Sequence, residues 1–81
     1  MITDALSRLD GALNELADPD ESQCELLREH LEAARINLLG EMPEEYTLNL
    51  RLASNALNCI ADRERRKRLQ ELLGDLQAAK A

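Results

Sequence analysis

The sequence has 81 residues, a formal net charge of −6, a single tyrosine, and neither phenylalanine nor tryptophan. A chain of this length forms at most one domain, so we expect residues 1–81 to make a single helical domain. It has no run of about 18 uncharged apolar residues that could span a membrane, and its first residues lack the basic and apolar regions of a signal peptide, which favours a cytoplasmic protein.

The first predicted helix covers residues 3–17. Thr3 is a suitable N-cap, and Asp4 lies in the first turn, near the positive end of the helix dipole. Apolar residues recur at spacings of three and four and predict one buried face: Ile2, Ala5, Leu6, Leu9, Ala12, Leu13 and Leu16.

The second predicted helix covers residues 19–39 and has the clearest start signal. Asp18 can cap it, Pro19 suits the first helical position, and Glu21 lies three residues after the cap, as in a capping box. Gly40 is a natural stop. The apolar stripe of this helix is Cys24, Leu27, Leu31, Ala34 and Leu38.

The third predicted helix covers residues 43–61 and is apolar on two faces. It begins at Pro43, and one stripe contains Tyr46, Leu50, Ala53, Leu57 and Ile60. The second stripe contains Leu48, Leu52, Ala56 and Cys59. A helix with two apolar faces is buried on two sides, so this helix is predicted to be the centre of the bundle or a dimer interface.

The fourth predicted helix covers residues 62–77, with Leu69, Leu72, Leu73 and Leu76 as its stripe. No glycine or proline separates it from the third helix, and the second stripe keeps its phase from Cys59 through Leu73. One long bent helix and two separate helices both satisfy this pattern. We favour a break or bend at residues 61–64.

These elements predict an all-α bundle of three to four helices. Cys24 and Cys59 fall on apolar stripes, so we interpret them as reduced core residues, although a disulfide between them is possible in principle. A small chain without a disulfide framework or a metal site has little apolar surface to bury. We therefore expect a homodimer.

The sequence offers no arrangement of catalytic residues. His30 is the only histidine, and it lies among acidic residues that are better explained as a solvated face. The two cysteines have no second histidine to activate them as nucleophiles. We expect neither an enzyme nor a protein that binds a metal or a cofactor.

The charge is distributed unevenly. Residues 1–61 have a net charge of −8, and residues 62–81, which contain the basic run 63–68, have a net charge of +2. An acidic body without aromatic residues argues against nucleic acid as a partner, although a regulator that binds nucleic acid through residues 63–68 remains the alternative. The basic run is otherwise a solvated helix start, partly paired with the acids of the second and third helices, or it contacts acidic residues of a partner or of a second copy, such as residues 41–45.

The second stripe and its continuation are the best candidates for a binding surface, because apolar helical grooves recognise partner helices. The core alone could also explain them. The predicted partner-binding residues are Leu48, Leu52, Ala56, Cys59, Arg63, Arg66, Leu69 and Leu73.

About thirty residues resemble the small helical co-chaperones of type III secretion needle subunits. The similarity rests on Leu31-Glu32-Ala33-Ala34, Pro43-Glu44-Glu45-Tyr46, Ala53, Leu57 and Ile60. The first helix is shorter before the proline than in that family, and the fourth helix has no counterpart there. The resemblance implies a helical hairpin that keeps another protein soluble. Together with the apolar stripes, it favours a non-enzymatic protein-binding module: an adaptor, a co-chaperone or an inhibitor.

Overall fold

The computed structural model describes residues 2–79, which form four α-helices and two short 3₁₀ turns. The helices are α1 (Ile2–Leu16), α2 (Glu25–Leu39), α3 (Pro43–Asn55) and α4 (Arg63–Ala78), and the 3₁₀ turns are Pro19–Glu21 and Leu57–Cys59. Helical residues make up 83% of this part of the chain, which contains no strand. The prediction of an all-α helical bundle is confirmed. Nowhere in residues 2–79 does a helix combine the length and the apolar character that a membrane span requires.

Consecutive helices pack against each other, and α4 returns to contact α1. The connections are short, as is typical of antiparallel neighbours in an up-and-down bundle. Leucine dominates the interior, and Tyr46 is the single aromatic residue in it. Leu50, Ala53 and Leu57 of the predicted first stripe of α3 are all buried. The core extends along the whole bundle axis and includes Leu9, Leu16, Leu27, Leu31, Leu50, Ile60, Leu69 and Leu73.

The predicted start of the second helix at residue 19 is wrong, because α2 begins six residues later. Asp18 does cap a helical segment, by accepting a hydrogen bond from the Asp20 backbone N–H at 3.0 Å, but that segment is only the 3₁₀ turn Pro19–Glu21. Glu21 does not return to the cap, since its side chain is fully buried and bonds to the α3–α4 connection. Long-range contacts of Glu21 therefore replace the predicted capping box.

The predicted separation of the third and fourth helices is confirmed, but it begins earlier than residue 61. α3 ends at Asn55, the 3₁₀ turn Leu57–Cys59 follows, and Asp62 is the N-cap of α4. The Asp62 carboxylate accepts hydrogen bonds from the backbone N–H groups of Glu64 and Arg65, at 2.9 and 3.3 Å. An aspartate that caps a new helix in this way competes with continuation of the preceding one.

Cys24 and Cys59 form a disulfide, so the interpretation of both as reduced core residues is wrong. The 3₁₀ turn at residues 57–59 brings Cys59 to the start of α2, and the two Cα atoms are 5.2 Å apart, within the usual range for a disulfide. The bond closes a loop that contains α2 and α3. The chain therefore has a covalent cross-link, and the expectation of a dimer loses one of its premises.

The turn between α2 and α3 is a Schellman motif with an unusual residue in its left-handed position. The backbone N–H of Met42 bonds to the Asn37 carbonyl at 2.9 Å, and that of Glu41 bonds to the Leu38 carbonyl at 3.4 Å. Gly40, the predicted stop, has an ordinary φ of −87°, whereas Glu41 has a φ of 54°. The position that usually holds glycine is thus occupied by glutamate.

Candidate functional site

Several exposed apolar side chains lie on the outside of α2 and α3. Leu26 and Ile36 on α2 are 59% and 65% exposed, and Leu48 and Leu52 on α3 are 49% and 36% exposed. We call these four residues the outer α2–α3 face. Single exposed leucines are common on soluble proteins, but contiguous apolar groups mark interaction surfaces.

A pair of asparagines shows how this face is arranged. Asn49 Nδ2 donates a hydrogen bond of 2.7 Å to Asn37 Oδ1, which marks the line where α3 and α2 meet. Leu38 and Leu50 directly follow the two asparagines and are buried, whereas Ile36 and Leu48 directly precede them and are exposed. Since each residue turns the helix by about 100°, the preceding residues face away from the core.

Leu26 and Leu52 lie nearer to the line between the two helices. At about 100° per residue, Leu26 lies within about 20° of Asn37 around α2, and Leu52 within about 60° of Asn49 around α3. The exposed apolar side chains thus follow both sides of the contact between α2 and α3. Ile36, Leu48 and Leu52 therefore lie on the same side of the hairpin, whereas Leu26, eleven residues from Asn37, lies about 12 Å further along the hairpin than Leu52.

The fourth helix does not cover this face. Gln77 of α4 donates hydrogen bonds to the Leu50 carbonyl oxygen at 3.3 Å and to Ser54 Oγ at 2.7 Å. Ser54 is two residues beyond Leu52 and therefore faces the other side of α3. In the monomer α3 is not the centre of the bundle, because Leu48 and Leu52 of its second apolar stripe are open to solvent. The alternative prediction, that this stripe is an interface, remains a prediction.

The eight predicted binding residues do not form one surface. Leu48 and Leu52 lie on the outer α2–α3 face, while Leu69 and Leu73 are buried in the monomer core and are inaccessible to a partner in this conformation. The remaining four lie at or after the end of α3. Ala56 and Cys59 are partly buried there, Arg66 is partly buried, and Arg63 is exposed.

Two cations of the basic run form ion pairs with acidic side chains of the same chain. Arg65 contacts Glu21 at 2.9 Å, Asp18 at 3.1 Å and Glu15 at 3.4 Å. Arg68 contacts Glu15 at 2.6 Å. We call Glu15, Asp18, Glu21 and Arg65 the Glu21 cluster. The basic run is therefore partly neutralised within the chain, by acids of α1 and of the α1–α2 connection. Of these acids Glu21 belongs to the predicted second helix, and none belongs to the predicted third helix.

The Glu21 cluster has the features of a structural ion pair. Burial alone would raise the pKa of the Glu21 carboxyl, but hydrogen bonds from the Ala61 backbone N–H and from Arg65 outweigh it and lower this pKa. The Asp20 backbone N–H, together with Arg65, lowers the pKa of Asp18. Arg65 Nε is buried, and its 3.4 Å approach to Glu15 lacks hydrogen-bond geometry. Both carboxylates stay charged at neutral pH, so the cluster has no poised acid or base.

A pocket of about 430 Å³ lies at the end of the bundle where the α2–α3 turn meets the start of α1 and the end of α4. We call it the turn pocket. Its lining is mostly apolar, with only two polar side chains apart from the tyrosine: Ile2, Ala5, Asn37, Leu38, Glu41, Met42, Pro43, Tyr46, Leu76 and Ala79.

Tyr46 gives the turn pocket a rigid wall with one polar group. Its side chain is 4% exposed, and burial raises the pKa of its hydroxyl. Among residues 2–79 the hydroxyl has no hydrogen-bond partner. Sequence reasoning placed Tyr46 in the core and did not predict the pocket, because the pocket depends on where four helix ends meet. The sequence does show a glutamate directly after Gly40. Its positive φ, which makes the position unusual, is visible only in the structure.

The structure assigns no catalytic arrangement to His30. This side chain is partly buried on α2, and the two cysteines are joined to each other. In the part of the chain that the structure describes, no group of three or more His, Cys, Asp or Glu side chains is arranged to hold a metal ion.

Comparison with known proteins gives no family to which this geometry can be referred. No protein-family profile matches the sequence, and neither a curated protein nor a solved structure shows a significant match to the chain.

Proposed function

We propose that this chain is a non-enzymatic protein-binding module, an adaptor, co-chaperone or inhibitor, whose outer α2–α3 face contacts the partner. The observation that carries the proposal is that the leucines of the second apolar stripe of α3 are exposed. Leu48 and Leu52 lie on the same side of the hairpin as Ile36, although the same helices bury every leucine of their other stripes. Leaving these side chains in water forfeits their burial energy unless a partner covers them.

The size of that energy supports a binding role. Burying apolar surface is worth about 25 cal/mol per Å², or about 1.5–3 kcal/mol for a fully covered leucine or isoleucine. Four such side chains on two rigid, packed helices can supply the apolar centre of a small interface. Because α2 and α3 are joined by the Asn37–Asn49 hydrogen bond and the disulfide, little ordering accompanies binding.

Charge favours a protein over nucleic acid as the partner. The chain has a net charge of −6, and the outer α2–α3 face belongs to its acidic part. Arg65 and Arg68 are occupied by acidic side chains of the same chain. The resemblance of residues 31–60 to needle-subunit co-chaperones also supports a protein partner. It suggests that this partner is a helical subunit that the chain keeps soluble.

Site-specific photocrosslinking tests the proposal. A photoreactive amino acid at position 52, in the protein expressed in its own cells, is expected to give a discrete adduct with one other protein. Leu48→Gln in the same chain should reduce the yield of that adduct several-fold, because it replaces an apolar contact without touching the core.

The matched control is position 39. Leu39 is 53% exposed, but it faces away from α3, two residues after Asn37. A photoreactive residue there should not give the same adduct, and Leu39→Gln should not reduce the adduct formed at position 52. Equal crosslinking at positions 39 and 52, or no effect of Leu48→Gln, contradicts the proposed face.

A further inference from the structure

Glu41 occupies a backbone conformation that favours a different residue. Its φ of 54° lies in the left-handed region, where a side chain with a Cβ is disfavoured relative to glycine. The adjacent Gly40 has no such need, since its φ is −87°. A turn of this kind is more stable with glycine in place of Glu41. Backbone strain of this sort clusters at functional sites, so it raises the hypothesis that the Glu41 side chain has a function.

The position of the Glu41 side chain indicates what that function is. Glu41 lines the turn pocket, and among residues 2–79 its carboxylate takes part in no hydrogen bond or ion pair. Glu41 lies between the C-cap of α2, Gly40, and the N-cap of α3, Met42, so the two helix dipoles act on it in opposite senses and do not account for it as they account for Glu44 and Glu45. The carboxylate is thus not engaged by any side chain among residues 2–79.

The pocket itself defines the rest of the ligand. Its volume of about 430 Å³ is typical of sites that enclose a compact apolar group. Leu38, Leu76 and the ring of Tyr46 form apolar walls, and the Tyr46 hydroxyl is a hydrogen-bonding group without a partner in residues 2–79. An apolar group with a cation beside it is complementary to both the walls and the acidic rim.

We propose that the turn pocket binds an apolar side chain flanked by lysine or arginine on a partner protein, and that Glu41 contacts the cation. This inference rests on the proposed function and deepens it, because it names a second contact and the charge of the segment that fills it. The exposed acids Glu44 and Glu45 extend the negative rim along α3. A segment with acidic flanks would be repelled by the same rim.

Two synthetic peptides test the inference. One is a short amphipathic peptide of leucine and lysine, and the other is identical except that glutamate replaces every lysine. The leucine–lysine peptide is expected to bind at least about tenfold more tightly by calorimetry, and to shift the NMR methyl signals of Met42 and Ala5 in the intact protein. Equal affinity for the two peptides overturns the proposal.

The variant Glu41→Gly separates this role from a structural one. It should weaken the leucine–lysine peptide several-fold and at the same time raise the melting temperature, because it removes the carboxylate and relieves the left-handed backbone. Tyr46→Phe keeps the ring and is expected to weaken binding more mildly. Glu29→Gln, an exposed charge change on α2 away from the pocket, is the matched control and should leave peptide affinity unchanged.

The outcomes distinguish the two proposals. If the leucine–lysine peptide shifts Leu48 and Leu52 instead of Met42, and Glu41→Gly binds it as the wild type does, the pocket inference fails and the proposed function stands. Absence of binding by both peptides also overturns the pocket inference, and the crosslinking at position 52 then decides the proposed function separately.

Discussion

Glu21 joins the α1–α2 connection to the segment between α3 and α4 and to the first turn of α4. One carboxylate oxygen accepts a hydrogen bond of 2.8 Å from the Ala61 backbone N–H, and the other accepts one of 2.9 Å from Arg65. The side chain is fully buried, so a missing partner could not be replaced by bulk water. Glu21 therefore fixes the α1–α2 connection against the beginning of α4.

Replacing Glu21 with glutamine is expected to destabilise the protein by about 1.5–3 kcal/mol, the range for hydrogen bonds to charged groups. Glutamine keeps the shape but removes the charge that faces Arg65 in a buried position. Urea denaturation at pH 7 measures the change. Glu25→Gln, an exposed change at the start of α2, is the control and should cost less than about 0.5 kcal/mol. Equal effects of the two substitutions would show that the cluster contributes nothing beyond ordinary surface charge.

The pH dependence of stability should follow from the same carboxylates. The pKa values of Glu21 and Asp18 are lowered in the folded state, so their contribution is complete above their unfolded values of about 4 and is lost as pH falls through the folded values. The difference in unfolding free energy between wild type and Glu21→Gln is therefore expected to be constant from pH 7 to about pH 5 and to shrink below about pH 4. A difference that grows on acidification would contradict the assigned shift.

At the level of single residues, the spacing of apolar residues predicted which side chains are buried. It did not predict which polar side chains make long-range contacts. Leu50, Ala53 and Leu57 were predicted to be buried from their recurrence at helical intervals, and they are buried. Glu21 was interpreted as a capping residue because its partners, Ala61 and Arg65, are forty or more residues away. No local pattern encodes an interaction at that distance.

Among the elements, the end of α3 and the disulfide go together. Cys59 must approach Cys24 at the start of α2, and the chain reaches that point by changing from α-helix to the 3₁₀ turn Leu57–Cys59. Asp62 then starts α4 in a new direction. The apolar spacing of residues 59–76 continues through this break, which is why periodicity alone allowed a single long helix.

Removal of the disulfide by Cys24→Ala with Cys59→Ala is expected to lower the free energy of unfolding by about 3–4 kcal/mol. The cysteines are 35 residues apart, and a loop of that length restricts the unfolded chain by about this amount in the chain-entropy account. Chemical denaturation of the double variant measures the loss. Reduced wild-type protein is the matched comparison and should show a loss of similar size.

Hydrogen exchange measures which segments lose protection when the disulfide is removed. Protection should fall first in the turns Pro19–Glu21 and Leu57–Cys59, which flank the bond, while the middle of α2 and α3 stays protected. Stability of the double variant that equals that of the oxidised protein would mean that packing alone holds these turns.

In the whole molecule, the disulfide and the Glu21 cluster lie at one end of the hairpin, and the turn pocket lies at the other. At the first end the charges pair with each other and the cysteines are joined. At the second end and along the outer α2–α3 face, apolar side chains remain in water. The fold class was predictable from sequence. Which apolar side chains stay exposed was not predictable, because that depends on which apolar stripe of α3 is covered by α4.

The outer α2–α3 face should bind a second copy when no other partner is present. Two copies related by a two-fold axis can cover Leu48 and Leu52 with identical patches. Such pairing could also bring Arg63 or Arg66 of one copy near residues 41–45 of the other. An exposed ion pair adds at most about 1 kcal/mol, so apolar contact must supply most of the affinity.

Sedimentation equilibrium at micromolar concentration and moderate salt measures this association. The double variant Leu48→Gln/Leu52→Gln is expected to weaken the dimer at least about tenfold, since even partial loss of two buried leucine contacts exceeds about 1.4 kcal/mol. Leu39→Gln, which changes an equally exposed leucine on the other side of α2, should leave the association unchanged. A wild-type monomer of 9.1 kDa under these conditions would reject the dimer. The outer α2–α3 face would then be left to a different protein, because neither α1 nor α4 of the same chain can reach it without unpacking the core.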